Sequence, residues 1–280
     1  MTLKVASWNI EGRLSPLAIN RRGTPEQIIR EIERLNTDVV FLPEAFATGN
    51  FAEEIRQALT ALGYELYATT YDDGGPVRTE IAVDQPSMLL LSRVPLRQRK
   101  TIRLGDLRNA IVAHIHDPTS RQTLRIIGVH LDDRSEALRL QQVPDLIRLV
   151  QSSDEPTVML GDFNAMQYDS APAKLLRSPM MKFVVPNFVP GLGRRVVEMA
   201  CGETLQQLQA ATGLRDVDPA FRPTTTPKMR GHEWLPSICL IGIDHMLLSP
   251  HMSAQNFRVS PDGGSDHRAI SAMITLDKVS

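Results

Sequence analysis

Apolar residues fall along this chain in short runs, and the period of each run separates strands from helices. Residues 3–8, 39–42, 87–91, 109–116, 123–130, 157–160, 241–248 and 269–276 are compact apolar stretches bounded by polar or turn residues, and each predicts a strand. The turn residues Asp117, Pro118, Thr119 and Ser120 lie between the fourth and fifth runs, so those two are expected to form an antiparallel hairpin. A different period begins at Thr24. There Thr24 can cap, Pro25 suits the first turn, Gln27 completes a capping box, and Ile28, Ile29, Ile32 and Leu35 mark one buried helical face. Residues 51–62 predict a second helix ended by Gly63. Residues 135–150 predict a third, which Pro144 is expected to kink or split.

The order of these elements sets the fold class. Strands outnumber helices, helices are interspersed and a hairpin occurs, which argues for an α/β sandwich of mixed sheets and against a doubly wound parallel sheet. At 280 residues, 42% of them hydrophobic, the chain can bury a substantial core without staples. No linker rich in Pro, Gly or Ser and no internal repeat interrupts it, so residues 1–280 are expected to form one continuous domain. The start of the chain lacks the long apolar core of a secretory signal, and no window approaches the ~20 apolar residues of a membrane span, so the protein is expected to be cytoplasmic. Cys201 and Cys239 have no metal-ligand spacing and are too few for a disulfide framework; free buried thiols are expected.

More informative is where the polar residues sit. Asn9 follows Trp8, Glu44 follows Pro43, His130 follows Val129, Asp162 and Asn164 flank Phe163, Asp244 precedes His245, and Asp266 and His267 follow Ser265. Each lies at or near the end of an apolar run, or just before the next begins. Strand ends gathered on one rim of a sandwich would bring these groups together. Carboxylates and amides are the hard oxygen ligands that Mg²⁺, Mn²⁺ or Ca²⁺ want. Two imidazoles beside them can transfer a proton or stabilise charge on a phosphoryl oxygen. Singly, each residue has an ordinary explanation: Asn9 capping a turn, Asp162 and Asn164 forming an Asx turn, Glu44 a surface charge. The ordered set is what points to chemistry.

The segments Trp8-Asn9-Ile10, Leu42-Pro43-Glu44, Val129-His130-Leu131, Gly161-Asp162-Phe163-Asn164, Ile243-Asp244-His245 and Ser265-Asp266-His267-Arg268 occur in the order seen in the endonuclease/exonuclease/phosphatase superfamily. The chain resembles that superfamily over nearly its whole length. The resemblance implies a DNase I-like, four-layered α/β sandwich, with two mixed β-sheets packed face to face and helices outside. It implies a hydrolase of phosphate esters that uses Mg²⁺ or Mn²⁺, with phosphodiesterase or nuclease-type activity favoured. A phosphomonoesterase or a lipid or inositol phosphate phosphoesterase is the alternative, and an inactive binding module a remote one. Carried over residue by residue, Glu44 looks like the principal metal carboxylate, with Asn9 and Asp266 beside it. Asp162 resembles the residue that orients or deprotonates the attacking water, and Asn164 its partner on water or a phosphate oxygen. His267 looks like the imidazole on the scissile phosphate, with Asp244 fixing its tautomer, and His130 resembles the second imidazole.

Two departures stand out. Exonuclease III-like members usually carry an aromatic residue where His245 stands, and His245 is expected to be solvated or hydrogen-bonded in preference to ligating. The second glutamate of DNase I-like enzymes has no clear match; Glu80 is merely nearby.

Other polar residues receive blander readings. His114 and His116 belong to an alternating strand, His232 and His251 to loops, and Arg139 and Gln142 to a helix face expected to meet solvent. Residues 180–199 form an insertion that suits either a lid or an irregular packed loop. Thr224, Thr225, Thr226 and Trp234 are placed to form one wall of a pocket. Lys plus Arg number 31 against 32 Asp plus Glu, so no overall basic field attracts a long polyanion. A phosphoester substrate is the expected partner; nucleic acid is allowed but not indicated. Few aromatics (5%) weaken a stacking-based single-strand binder.

Overall fold

Strands buried on both faces read as unbroken apolar runs, and such runs build the middle of this protein. The computed structural model describes residues 1–11, 24–45, 50–70, 87–105, 108–116, 122–188, 192–225, 241–261 and 263–276. In chain order the elements are β1 (Thr2–Ser7), α1 (Pro25–Leu35), β2 (Val39–Leu42), α2 (Asn50–Ala61), β3 (Glu65–Thr70), β4 (Ser87–Ser92), β5 (Leu96–Leu104), β6 (Arg108–His116) and β7 (Thr123–His130). Then come α3 (Glu136–Gln151), β8 (Thr157–Asp162), α4 (Ala171–Leu176), α5 (Pro179–Phe188), α6 (Leu192–Met199), α7 (Glu203–Thr212), β9 (Arg215–Asp216), β10 (Asp244–Leu248), β11 (Met252–Val259) and β12 (Ile270–Leu276).

Two six-stranded mixed sheets result, in the orders β11-β12-β1-β2-β4-β3 and β5-β6-β7-β8-β10-β9. Each has a parallel pair at its centre, β1 with β2 and β7 with β8, flanked by antiparallel neighbours. Side-chain alternation then assigns every central strand two faces. Val39 and Phe41 of β2 point between the sheets and meet Ile111, Ile126, Val158 and Leu160 of the other. Val40 and Leu42 point outward, under Ile28, Ile32 and Leu35 of α1 and Ile55 and Leu59 of α2. On the far side Val143, Leu146 and Leu149 of α3 and Leu205 and Leu208 of α7 cover Val112, Ile127 and Met159. The layers are therefore helix, sheet, sheet, helix, as the resemblance implied.

Local signals explain the helix ends. The Thr24 side chain accepts the Gln27 N–H at 3.3 Å, and Asn36 closes α1 in the left-handed region (φ 43°) with its N–H on the Glu33 carbonyl. The predicted hairpin is present, with β6 and β7 antiparallel and Ala110 opposite Val129; most of its turn lies outside the described residues.

Three expectations are corrected. α3 is not split at Pro144: it continues from Glu136 to Gln151, with Val143, Leu146 and Leu149 on both sides of the proline packed on the sheet. Arg139 and Gln142 do not meet solvent: both are buried, Arg139 donating to Glu136 at 2.8 Å and Gln142 accepting from the Asp132 N–H at 3.1 Å. The described residues of segment 180–199 are helical, contributing α5 and α6, the second anchored where Val196 and Met199 pack near Met166, Ile241 and Ile243. Glu80, Thr226, His232, Trp234 and Cys239 lie outside the described residues. Cys201 is a half-buried free thiol. Among the described residues no helix is long and apolar enough to cross a membrane.

Candidate active site

The C-terminal ends of β1, β2, β7 and β8 and the N-terminal ends of β10 and β12 all reach one rim of the sandwich. This follows from the registers: His130 pairs with Asp162 in parallel, Asp162 pairs with Asp244 in antiparallel, and Ser7 pairs with both Phe41 and Ile270. Packing holds the two sheets together just beneath. Phe41 of β2 lies against the bare backbones of Gly128 and Gly161; a Cβ on Gly128 would stand 2.4 Å from its ring, and one on Gly161 would stand 1.9 Å from the Val129 carbonyl oxygen. Gly161 also has φ 145°, a conformation L side chains rarely adopt. Above this contact the backbone is held in uncommon geometry, with Glu44 at φ 51° and Asn164 at φ 50°, both left-handed without being glycine.

From these ends a continuous polar network forms. The Asn9 amide donates to Glu44 Oε1 at 3.1 Å and to Asp162 Oδ2 at 3.0 Å, bridging the two sheets. Asp162 Oδ1 accepts the Asn164 N–H at 2.9 Å, while the Asn164 side-chain amide donates to the Leu131 carbonyl at 3.0 Å. His130 Nε2 lies 3.7 Å from both Glu44 Oε1 and Asp162 Oδ2. His267 Nε2 is also 3.7 Å from Asp162 Oδ2, and its Nδ1 is 2.8 Å from Asp244 Oδ2. Thr224 and Thr225 donate to that same Asp244 oxygen at 2.7 and 3.3 Å. The loop bearing His267 is fixed by Trp8 Nε1 on the His267 carbonyl and by Ser265 Oγ on the Asn9 carbonyl.

Burial and charge set opposite fates for the two imidazoles. Burial, with the Arg108 and His267 charges behind it, holds His130 well below its ordinary value, so it is neutral at pH 7. Burial also opposes charge on His267, but Asp244 and Asp162 outweigh it and raise that ring well above its ordinary value. His267 is therefore an imidazolium held between two carboxylates. Glu44 keeps some contact with solvent (27% exposed), yet burial, reinforced by Asp162 and Asp266, pushes its carboxyl up to about 7. Burial and Asp244 raise Asp162 as well, against the pull of His267.

The structure thus brings together Asn9, Glu44, His130, Asp162, Asn164, Asp244 and His267. Asp266 lies beside them: its charge acts on Glu44 and His267, and its N–H faces Glu11 Oε2 at 3.4 Å. Thr224 and Thr225 grip Asp244. Glu11 and Arg108 had no sequence signal beyond their position near a strand end. His114 pairs with Glu155 at 3.0 Å, away from this network, and His251 is exposed. Among the described residues Asp162, Asp244 and His267 offer ligand atoms within 4.8 Å of one another. Asp244 Oδ2 and His267 Nδ1 are already committed to each other and to Thr224 and Thr225, whereas burial and the neighbouring carboxylates keep Glu44 prone to protonation despite the charge on His267. A divalent cation fits this carboxylate-rich donor set.

Comparison with known proteins agrees with this geometry. A solved endonuclease/exonuclease/phosphatase structure from Bacteroides vulgatus is 16% identical, aligns with 99% of this chain and 100% of its own, and has a TM-score of 0.70. One from Beutenbergia cavernae DSM 12333 is 21% identical over 99% of this chain and 72% of its own, with a TM-score of 0.67. D. rerio TDP2 complexed with a single strand DNA product is 17% identical over 98% and 99%, with a TM-score of 0.64. At these identities the likeness is one of fold. No curated protein matches the sequence. The sequence model of the Endonuclease/Exonuclease/phosphatase family matches residues 6–267. The chain therefore belongs to the endonuclease/exonuclease/phosphatase family, a family of phosphoesterase hydrolases that generally depend on a divalent metal.

Proposed function

We propose that this chain is a phosphodiesterase of nuclease type that works with Mg²⁺ or Mn²⁺ and cleaves by in-line attack of an activated water. The observation that carries this reading is the crowd of carboxylates at one rim, Glu44, Asp162, Asp244 and Asp266, around the charged imidazole of His267. Glu44 is the principal metal carboxylate, with Asn9 and Asp266 beside it. When bound there, the cation neutralises charge developing on the phosphoryl oxygens and lowers the pKa of bound water.

The chain's own residues divide the remaining work. His267 cannot serve as base, because Asp244 holds it protonated; its Nε2–H instead meets a phosphoryl oxygen and stabilises the added charge. Asp162 is the base. Its carboxylate is fixed on both oxygens by Asn9 and the Asn164 N–H, and burial brings its pKa toward the range where a base works near neutrality. Asn164 holds water or a phosphate oxygen with what its amide leaves free of Leu131. Neutral His130 is a second hydrogen-bond donor that adds no charge of its own.

Purified protein assayed with Mg²⁺ or Mn²⁺ on bis(p-nitrophenyl) phosphate, p-nitrophenyl phosphate, DNA and RNA tests this. Diester cleavage abolished by EDTA is expected. Turnover confined to the monoester moves the protein to the phosphomonoesterase reading, and no metal-dependent hydrolysis of any of these overturns the proposal.

A further inference from the structure

His245 departs from the aromatic residue expected at its position, and none of the steps above uses it. It is buried one residue beyond Asp244, at the start of β10. Its Nε2 lies 2.8 Å from the Ala165 carbonyl oxygen, and its Nδ1 lies 2.7 Å from Asp216 Oδ2. A carbonyl oxygen only accepts, so Nε2 carries a proton. Asp216 already accepts the Gln167 side-chain amide on Oδ2 at 2.7 Å and the Asp218 N–H on Oδ1 at 3.0 Å. That carboxylate is an acceptor too, so Nδ1 also carries a proton. The ring is an imidazolium with both donors spoken for, and Phe163 meets it edge-on at 5.6 Å. Ligation of a metal by either nitrogen is excluded in this arrangement.

We propose that His245 is a positioning residue: as a doubly donating cross-brace it fixes the loop from Phe163 to Gln167, and through that loop the left-handed backbone of Asn164 and the carboxylate of Asp162. The proposal rests on the roles assigned to those two residues above. The neighbouring ties of the loop are the Phe163 N–H on the Ile243 carbonyl and the Met166 N–H on the Met199 carbonyl, both at residues flanking Asn164 and Ala165. His245 grips between them, at the carbonyl immediately after Asn164. Although burial opposes its charge, Asp216 and the Ala165 carbonyl hold the ring protonated. A phenyl ring would fill the same space but take the imidazole donor from the Ala165 carbonyl and the imidazolium charge from Asp216, which would keep only the neutral donors of Gln167 and Asp218. A glutamine would restore one donor.

Two measurements test it. In ¹⁵N-histidine-labelled wild-type protein at neutral pH, both ring nitrogens of His245 should carry protons, with the signals assigned by their loss in H245Q; one bare nitrogen overturns the proposal without any substrate being needed. On bis(p-nitrophenyl) phosphate, H245F should lower kcat by about 10–100-fold, as a small misplacement of reacting groups does, with KM unchanged and part of the loss recovered in H245Q. Wild-type kcat in folded H245F, or equal losses in H245F and H245Q, overturns it. Should H245F fail to fold, Asp216→Asn removes the anion and keeps the shape; it should show the same kcat loss at constant KM, and an unchanged kcat overturns the proposal. A wild-type enzyme inactive on every diester would instead count against the proposed function, and the ring protonation would still decide the brace.

Discussion

On α3, Arg139 is fully buried and donates to Glu136 Oε2 at 2.8 Å and to the carbonyls of Asp132 and Glu198 at 2.9 and 2.7 Å. Glu136 in turn accepts the Thr204 N–H at 2.8 Å, so both its carboxylate oxygens are used, while its own N–H donates to the half-buried Glu198 carboxylate at 2.9 Å. At the rim, by contrast, Glu44, Asp162, Asp244 and Asp266 surround one imidazolium, and Asp244 Oδ1 is buried with no hydrogen-bond partner among the described residues. Both clusters are polar and enclosed, and each leaves one buried oxygen without a partner among the described residues, Thr204 Oγ1 in the first and Asp244 Oδ1 in the second, but only in the first is every charged atom of the central pair matched. Matched charges fix α3 against α6 and α7; a surplus of carboxylates is a place where a cation belongs. Buried charge is tolerated in proteins when paired, so an acidic surplus marks a binding site more sharply than burial or polarity alone.

The largest effect should come from the imidazolium at the centre of the rim network. His267→Ala is expected to lower turnover on the best diester by about 10²–10⁴-fold with little change in fold, and His130→Ala by a similar amount or less. Near wild-type rates in both variants would mean the site has been misplaced. Glu44→Gln should follow, with a loss of about 10²–10³-fold and weakened Mg²⁺ or Mn²⁺ binding by calorimetric titration. Its metal-free form should nevertheless melt no lower than wild type near pH 8, because a crowded carboxylate has been removed.

Arg139→Met sharpens the contrast from the other side. It removes the cation paired with Glu136 and leaves that carboxylate buried, which should cost about 3–5 kcal/mol in denaturant titrations. The folded fraction should keep its kcat, since no atom of Arg139 reaches the rim network. Stability kept and turnover lost would invert the assignment of the two clusters.

A smaller effect concerns pH. Glu44 titrates at about 7 in the folded protein against 4.5 ordinarily, so the unfolded chain gives up this proton first. Its stabilising contribution is complete below pH 4.5 and is lost as pH rises to about 7. Asp162, also raised, acts in the same sense over the acid range, and His267 does so as pH climbs above its ordinary value. Metal-free protein should therefore lose melting temperature from pH 5 to pH 8, and Glu44→Gln or added Mg²⁺ should flatten that slope. The smallest expected effect is the salt dependence of DNA duplex binding between about 50 and 200 mM, because the chain has no basic surplus. A steep log–log slope, matching about six or more phosphate contacts, would instead reveal a concentrated basic strip.

Legibility in the sequence followed burial. β2 and β8 are buried throughout and β7 from its second residue on, and their apolar runs are unmistakable. β5 and β11 are edge strands whose middles face solvent, so their residues carry no clear alternation and neither was foreseen. α4 to α7 are short, and the Met- and Val-rich α5 leaves Met180 and Phe183 exposed, which hides any single apolar face. The rim residues were readable because each terminates a buried run. Asp216, Gln167 and Arg139 were not, since their partners lie far off in sequence and nothing local marks a buried hydrogen bond.

The seating of Phe41 against Gly128 and Gly161 has a consequence for how this sequence can change over time. The aromatic sits two residues after Val39 on one sheet, and the glycines immediately precede Val129-His130 and Asp162 on the other. A lineage cannot replace Gly161 at all, because the obstruction is backbone. It can replace Gly128 by alanine only after Phe41 has become smaller, since the first change meets the ring and the second relieves it. The three positions should therefore be inherited as a unit, and a paired library at 41 and 128 should return Phe with Gly, or a smaller aliphatic residue with Ala, while the mixed combination of Phe with Ala is depleted.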